Sequence, residues 1–349
     1  MKATGERQKA EVRTRGTQLP VFTFTFCLFM ISFLTSCSAG PRGPLVYVSN
    51  ERDGTVTVID TATDEVCSTI QVGARPRGVR LSPDGRRVYI ALSTPSGKDY
   101  DAAENKIAAI DVESGEVVAR YEVGSDPEQL AVSRDGARLY ASNEDAGTAS
   151  ITEVNTGQLL ATLVVGIEPE GVNISPDGRW VYVTAETSNS VSVIDTRENR
   201  VAETFMVDSR PRDVAFSPDG SRAYVTTEIG RTVAVVDTSG HKVIHTVRVP
   251  RGEGGVKPMG VVVSGDGRRV YVATGRGNSV VVFDAEGFEV LATIPVGQRV
   301  WGLAVTPDGK KVYAANSLSN DISVIDTSTN RVIKTVKVGD GPWGIAMGR

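Results

Sequence analysis

The chain has 349 residues, with 38 Lys and Arg against 42 Asp and Glu, for a formal net charge of −4 at pH 7. This near balance excludes nucleic acid as the main partner, because neutralising phosphates takes a net basic face. Val, Thr and Gly are abundant and helical periodicity is absent beyond residue 40, so the composition reads as all-β; the only two histidines, His241 and His245, leave little for metal, haem or acid–base chemistry.

Taken in chain order, the first segment is a targeting signal. Lys2, Arg7, Lys9, Arg13 and Arg15 precede the apolar run VFTFTFCLFMISFL, residues 21–34. That run is shorter than a span of ~20 residues and suits the apolar region of a signal peptide. It ends in LTSC, Leu34 to Cys37, which resembles a bacterial lipobox, whose cysteine is lipidated and becomes the new N-terminus. Residues 1–36 therefore read as a leader, 37–44 as a short tether and 45–349 as the folded domain. The expected product is exported and held on a membrane through Cys37, facing the periplasm or the cell exterior. Plain secretion and an uncleaved anchor are the alternatives. Cleavage and lipidation would leave Cys67, in DEVCSTIQV, with no disulfide partner, and it reads as a small buried hydrophobe.

The folded domain repeats itself. Ser/Thr-x-Asp-Gly turns begin at Ser82, Ser133, Ser175, Ser217, Ser264 and Thr306, at intervals of 51, 42, 42, 47 and 42 residues. A period of ~40–45 with four short strands per unit is the signature of propeller blades. Residues 299–339 show the unit: WGLAV, the TPDG turn, KKVYAAN, DISVID, the TSTN turn and RVIKTVKV, giving strands A to D. In the turn, proline presets φ, aspartate bonds its local backbone and glycine takes the left-handed position. Strand C closes at Asp60, Asp111, Asn155, Asp195, Asp237, Asp284 and Asp326, which counts seven units. The seventh is split: PWGIAM at the C-terminus supplies only strand A, and LVYVSN, TVTVID and EVCSTIQV supply B, C and D. Tyr313 to Asp326 and Tyr47 to Asp60 are both 13 residues apart, so the ends complement one another. The predicted fold is all-β: a seven-bladed β-propeller of four-stranded blades, closed by pairing the C-terminal strand with N-terminal ones, without a free sheet edge. It is expected to be a monomer.

The motifs VYVSN, VYVTAE and SVIDT resemble YVTN-repeat propellers. The blade-specific phrases GSDPEQLAVS, SNED, GIEPEG, VDSRPR, VGQRVWGLAVTPDG and GDGPWG are most similar to propeller proteins associated with PQQ-dependent catabolism. The resemblance implies a non-catalytic accessory. It implies no cofactor in the chain itself, PQQ entering by association only.

A strand A that runs down the channel puts every SPDG turn and C–D turn on the bottom face. The D–A and B–C connections then share the top face. Bottom turns are near-identical; top residues differ. Flanking the D–A proline or its equivalent are Arg75 and Arg77, Asp126 and Glu128, Glu168 and Glu170, Arg210 and Arg212, Lys257 and Met259, Arg299 and Trp301, and Gly341 and Trp343. B–C loops add Glu51, Asn143, Glu144, Asp145, Glu186 and Glu228. The long loop of residues 93–105 and the insertion of residues 249–258 also fall on top. A charged rim also serves solubility alone, with exposed pairs worth ~0–1 kcal/mol each. Its confinement to one face instead favours a binding mouth. There arginines hold carboxylates bidentately and tryptophans offer stacking faces. The candidate ligand residues are Arg75, Arg77, Asp126, Glu128, Glu168, Glu170, Arg210, Arg212, Trp301 and Trp343, and the candidate partner is a periplasmic protein or a small carboxylate.

Other readings remain open. A propeller hydrolase or lactonase would use Asp126, Glu128 and Glu170 as base or cation ligands, but these acids lack a recognisable ligand spacing, so neither a metal site nor a catalytic residue is assigned. A redox propeller resembling the cytochrome d1 or quinoprotein amine dehydrogenase type would need a ligand near the channel. His241 and His245 instead fall in a bottom turn and outer strand, as surface histidines. An envelope-layer adhesion protein is the fourth reading.

Overall fold

The computed structural model describes residues 43–94, 101–250 and 255–348, so the leader, Cys37 and most of the tether lie outside the described residues. Largely buried inner strands and more exposed outer strands assemble into seven four-stranded antiparallel sheets arranged as a ring. Blade 1 comprises Pro76–Leu81, Arg87–Leu92, Lys106–Asp111 and Val117–Glu122 as strands A to D. Blades 2 to 6 repeat that order. In blade 7, Pro342–Met347 is strand A and pairs with Leu45–Asn50, bringing Ala346 opposite Tyr47 and Ile345 opposite Val48. Strands Thr55–Asp60 and Glu65–Gln71 complete that sheet. The split closure read from the two ends is thus the observed one. One alignment is corrected: strand C of blade 2 ends at Glu153, and Asn155 lies in the following turn.

The core sits between blades. Tyr89, Tyr140, Tyr182, Tyr224, Tyr271 and Tyr313, one from strand B of each of blades 1 to 6, are almost fully buried among the Val and Ile of strands B and C. The strand B tyrosines of blades 3 and 6 reach the C–D turn of the next blade, where the Tyr182 hydroxyl meets His241 Nδ1 at 2.6 Å and Tyr313 donates to Asp64. His241 is therefore a buried inter-blade residue, 7% exposed, rather than a surface one. His245 is exposed on the outer strand, stacked on Phe288 at 4.5 Å. Cys67 is also corrected. It lies half-buried on an outer strand and is held in a disulfide whose partner is outside the described residues.

The innermost strands approach closely. A Cβ at Gly171, Gly260 or Gly302 would sit 2.5 Å from the carbonyl oxygen of Arg212, Trp301 or Trp343 on the next blade. Strand B hydroxyls lock this contact: Ser49 donates to Arg77 O at 2.6 Å, Ser142 to Glu170 O at 2.6 Å and Thr226 to Met259 O at 2.5 Å. The acceptors are the residues after the D–A proline, so blade-to-blade stitching also fixes the backbone of the channel mouth.

Candidate functional site at the channel mouth

The bottom turns are as regular as their sequence. Each Ser or Thr hydroxyl donates to the aspartate two residues on, and the turn glycine is left-handed, as at Gly85 and Gly309. At the top, the residue before the proline is also left-handed in most blades, yet it is not glycine. Arg75, Asp126, Glu168, Arg210 and Arg299 have φ of 39°, 50°, 55°, 61° and 55°, while Gly341 has 71°. A Cβ in this conformation costs about 1–2 kcal/mol per residue. Five charged side chains are therefore held where glycine would be unstrained, and strain of this kind gathers at functional positions.

These side chains form a network with the B–C loops. Arg75 contacts Glu51 at 3.0 Å and Asp126 at 3.1 Å. Arg77 contacts the same Glu51 oxygen at 3.1 Å and turns its other nitrogen onto Glu128. Across the mouth, Arg210 bridges Glu186 at 2.5 Å and Glu228 at 3.1 Å. Arg212 meets Glu170 at 3.2 Å and also Glu186. Lys257 adds a 2.5 Å contact to Glu228. Glu128, Glu170 and Glu186 are at most 3% exposed. Glu168 sits nearer the rim, accepting from the Thr187 hydroxyl at 2.5 Å. Trp301 and Trp343 stack with centroids 5.4 Å apart. Arg77 lies over Trp343, and Arg212 and Arg299 lie over Trp301, at 5.0–5.5 Å. Each of the ten candidate residues is thus at the mouth, and all but Glu168 belong to the ion pairs or the tryptophan stack.

Titration follows this geometry. Burial raises the Glu51 carboxyl, but the guanidiniums of Arg77 and Arg75 outweigh it and leave it below the ordinary carboxylate range. Glu228 is likewise lowered, burial being overcome by Lys257, Arg212 and Arg210. Glu144 goes the other way: burial, then the charges of Glu170 and Asp126, push it up to about 7. The arginines expected to await a carboxylate ligand already hold the protein's own glutamates.

Beneath the mouth the channel narrows to a cavity of about 30 Å³ bounded by Glu170, Arg212, Trp301 and Trp343. Below this neck it widens to about 540 Å³, reaching the A–B turns at Ser82 and Pro176. Sequence reasoning missed the polar groups here: Arg80, Gln129, Asn173 and Asp213. Asp213 accepts from Val214 N and Val261 N, and burial raises its carboxyl. Burial lowers the facing Arg80. Their signal was readable, since Gln129 and Asp213 stand where the other five strands A carry glycine.

The fold and mouth define a seven-bladed β-propeller with one differentiated face. Residues 45–207 match the choice-of-anchor I domain, and residues 198–338 match the seven-bladed β-propeller lactonase family. No curated protein matches the chain. Among solved structures it is similar to a Bacteroides fragilis protein provisionally named a 6-phosphogluconolactonase, at 21% identity and TM-score 0.73, covering 89% of this chain and 99% of that one. A counterpart from Bacteroides uniformis gives 20% and 0.72, covering 87% and 99%. Hydrazine synthase of Kuenenia stuttgartiensis gives 23% and 0.68, covering 78% and 89%. The shared feature is the seven-bladed β-propeller fold.

Proposed function

We propose that the protein is a non-catalytic docking propeller of the cell envelope, tethered through Cys37, whose top face recognises a protein partner. The observation that supports this reading most is the set of five charged residues held in left-handed backbone around the mouth. Around them Arg75, Arg77, Arg210 and Arg212 are paired with the glutamates and Asp126 of the mouth, and the neck directly below holds only about 30 Å³. A face already paired within itself suits a partner that overlays the whole charge pattern, where electrostatics supplies specificity. In this reading the partner belongs to PQQ-dependent alcohol oxidation, the association that the motif resemblance supports.

The test is capture of envelope proteins by the tethered chain in three forms. Arg299 stands over Trp301 and has no ion-pair partner among the described residues, and Asp145 is exposed. Changing Arg299→Ala with Asp145→Lys alters the top face without orphaning a buried charge. The partner captured by the wild type should be lost at least tenfold with this double variant. It should be retained by Arg86→Ala with Lys310→Ala, both exposed on the bottom. Loss with the bottom pair alone refutes the assignment of the face.

A second reading, lactone hydrolysis, draws on the family match over residues 198–338. Under it, Glu170 and Arg212 would carry the chemistry. Turnover of a 6-phosphosugar lactone above the spontaneous rate, abolished by Glu170→Gln, would replace the docking proposal.

A further inference from the structure

We propose that Asp126, Glu128 and Glu144 form a calcium site on the blade 2 side of the mouth. One carboxylate oxygen from each lies within 4.8 Å of the other two. Asp126 and Glu128 flank Pro127, at the start of strand Pro127–Val132. Glu144 follows strand Arg138–Asn143 of the same blade, and its N–H donates to Asp126 O at 2.9 Å. All three ligands therefore stand on one corner of one sheet.

The cluster alone would be unremarkable; Glu128 is what points to a ligand. Its side chain is 0% exposed, and one oxygen is taken by Arg77. The other, Oε1, accepts no hydrogen bond. A buried carboxylate oxygen left without a partner carries its full desolvation penalty. On this side of the mouth Glu51, Asp126, Glu128 and Glu144 face two guanidiniums, those of Arg75 and Arg77, which are both also engaged by Glu51, so carboxylates outnumber guanidiniums there.

The donors choose the ion. All are oxygens, which suits a hard cation and disfavours zinc or copper. Three protein carboxylates gathered within 4.8 Å suit calcium, which accepts flexible sites built from protein oxygens, better than magnesium, which demands near-ideal octahedral geometry and keeps several waters. Such a site would fix the blade 2 rim and present a positive centre to whatever docks there. It stands on its own residues and does not require the docking reading.

Calorimetric titration of the chelator-treated full chain with CaCl₂ should show one saturable site, with a rise in melting temperature of several degrees at about 1 mM calcium, the range of extracellular modules. MgCl₂ should bind at least tenfold more weakly. Glu128→Gln and Glu144→Gln should each weaken calcium at least tenfold. Glu113→Gln, exposed in a bottom turn, should not. Should Glu128→Gln fail to fold, Glu144→Gln decides, because its side chain is only half-buried and forms no ion pair among the described residues. Absence of both heat and thermal shift, calcium affinity unchanged in Glu144→Gln, or equal affinity for magnesium overturns the assignment.

Discussion

Ending the chain after Gly341 removes strand A of blade 7 and should prevent stable folding. That strand buries Trp343 to 3%, Ile345 to 6% and Ala346 to 6% exposure. Fully burying a large apolar side chain is worth about 1.5–3 kcal/mol, so Trp343 and Ile345 together account for about 5 kcal/mol. The ladder to Leu45–Asn50 and the Gly344 N–H to Ser49 hydroxyl bond at 2.9 Å add several hydrogen bonds, at about 1 kcal/mol each. The loss is on the order of 10 kcal/mol, against about 5–15 kcal/mol for the whole stability of an ordinary domain. It also bares the inner edge of Leu45–Asn50, whose Val46 and Val48 are fully buried in the ring. The assay is thermal unfolding by circular dichroism, with light scattering to detect aggregation through the exposed edge. Ile345→Ala serves as the graded companion, at about 2–5 kcal/mol. If the truncated chain melts within a degree or two of the full one, the split blade does not close the ring and this reasoning fails.

Gly302→Ala should lower the melting temperature by several degrees, because its Cβ meets backbone at Trp343 O, whereas Gly265→Ala, with open space around it, should be neutral. Equal melting of the two would show that the inner strands are not closely packed. Glu51 and Glu228 have lowered carboxyl pKa values in the fold, so the stability they contribute is present above the ordinary carboxylate pKa and lost as pH falls through their folded values. The melting gap between wild type and Glu228→Gln should accordingly narrow between about pH 5 and about pH 3, and a constant gap contradicts the pairing. Lipidation would occupy the Cys37 sulfur, so a mature lipoprotein should show a lipid-modified Cys37 by mass spectrometry. An unmodified N-terminus removes the tether from the proposal.

Periodicity made the architecture legible because each blade solves the same packing problem with the same letters. The Asp-Gly turn, the strand B tyrosine and the strand C alternation recur, and the split blade followed from equal spacing at the two ends. The mouth was legible as a set of positions, since departures from a repeat mark where packing no longer dictates the residue. What those residues do to one another was not. Arg77 and Arg212 read as donors waiting for a carboxylate, but the ring brings Glu51, Glu128, Glu170 and Glu186 to them from neighbouring blades, a closeness that no local spacing encodes. His241 was hidden for the same reason: its partner Tyr182 lies 59 residues away, on the adjacent blade. The sequence reading weighed Asp126 and Glu128 as cation ligands with Glu170, not with Glu144, because Glu144 belongs to a B–C loop and Asp126 and Glu128 to a D–A loop, and only the antiparallel return of strand B sets them side by side. In a propeller the repeat therefore tells which positions are free of the fold, and closure of the ring determines which of those free positions meet.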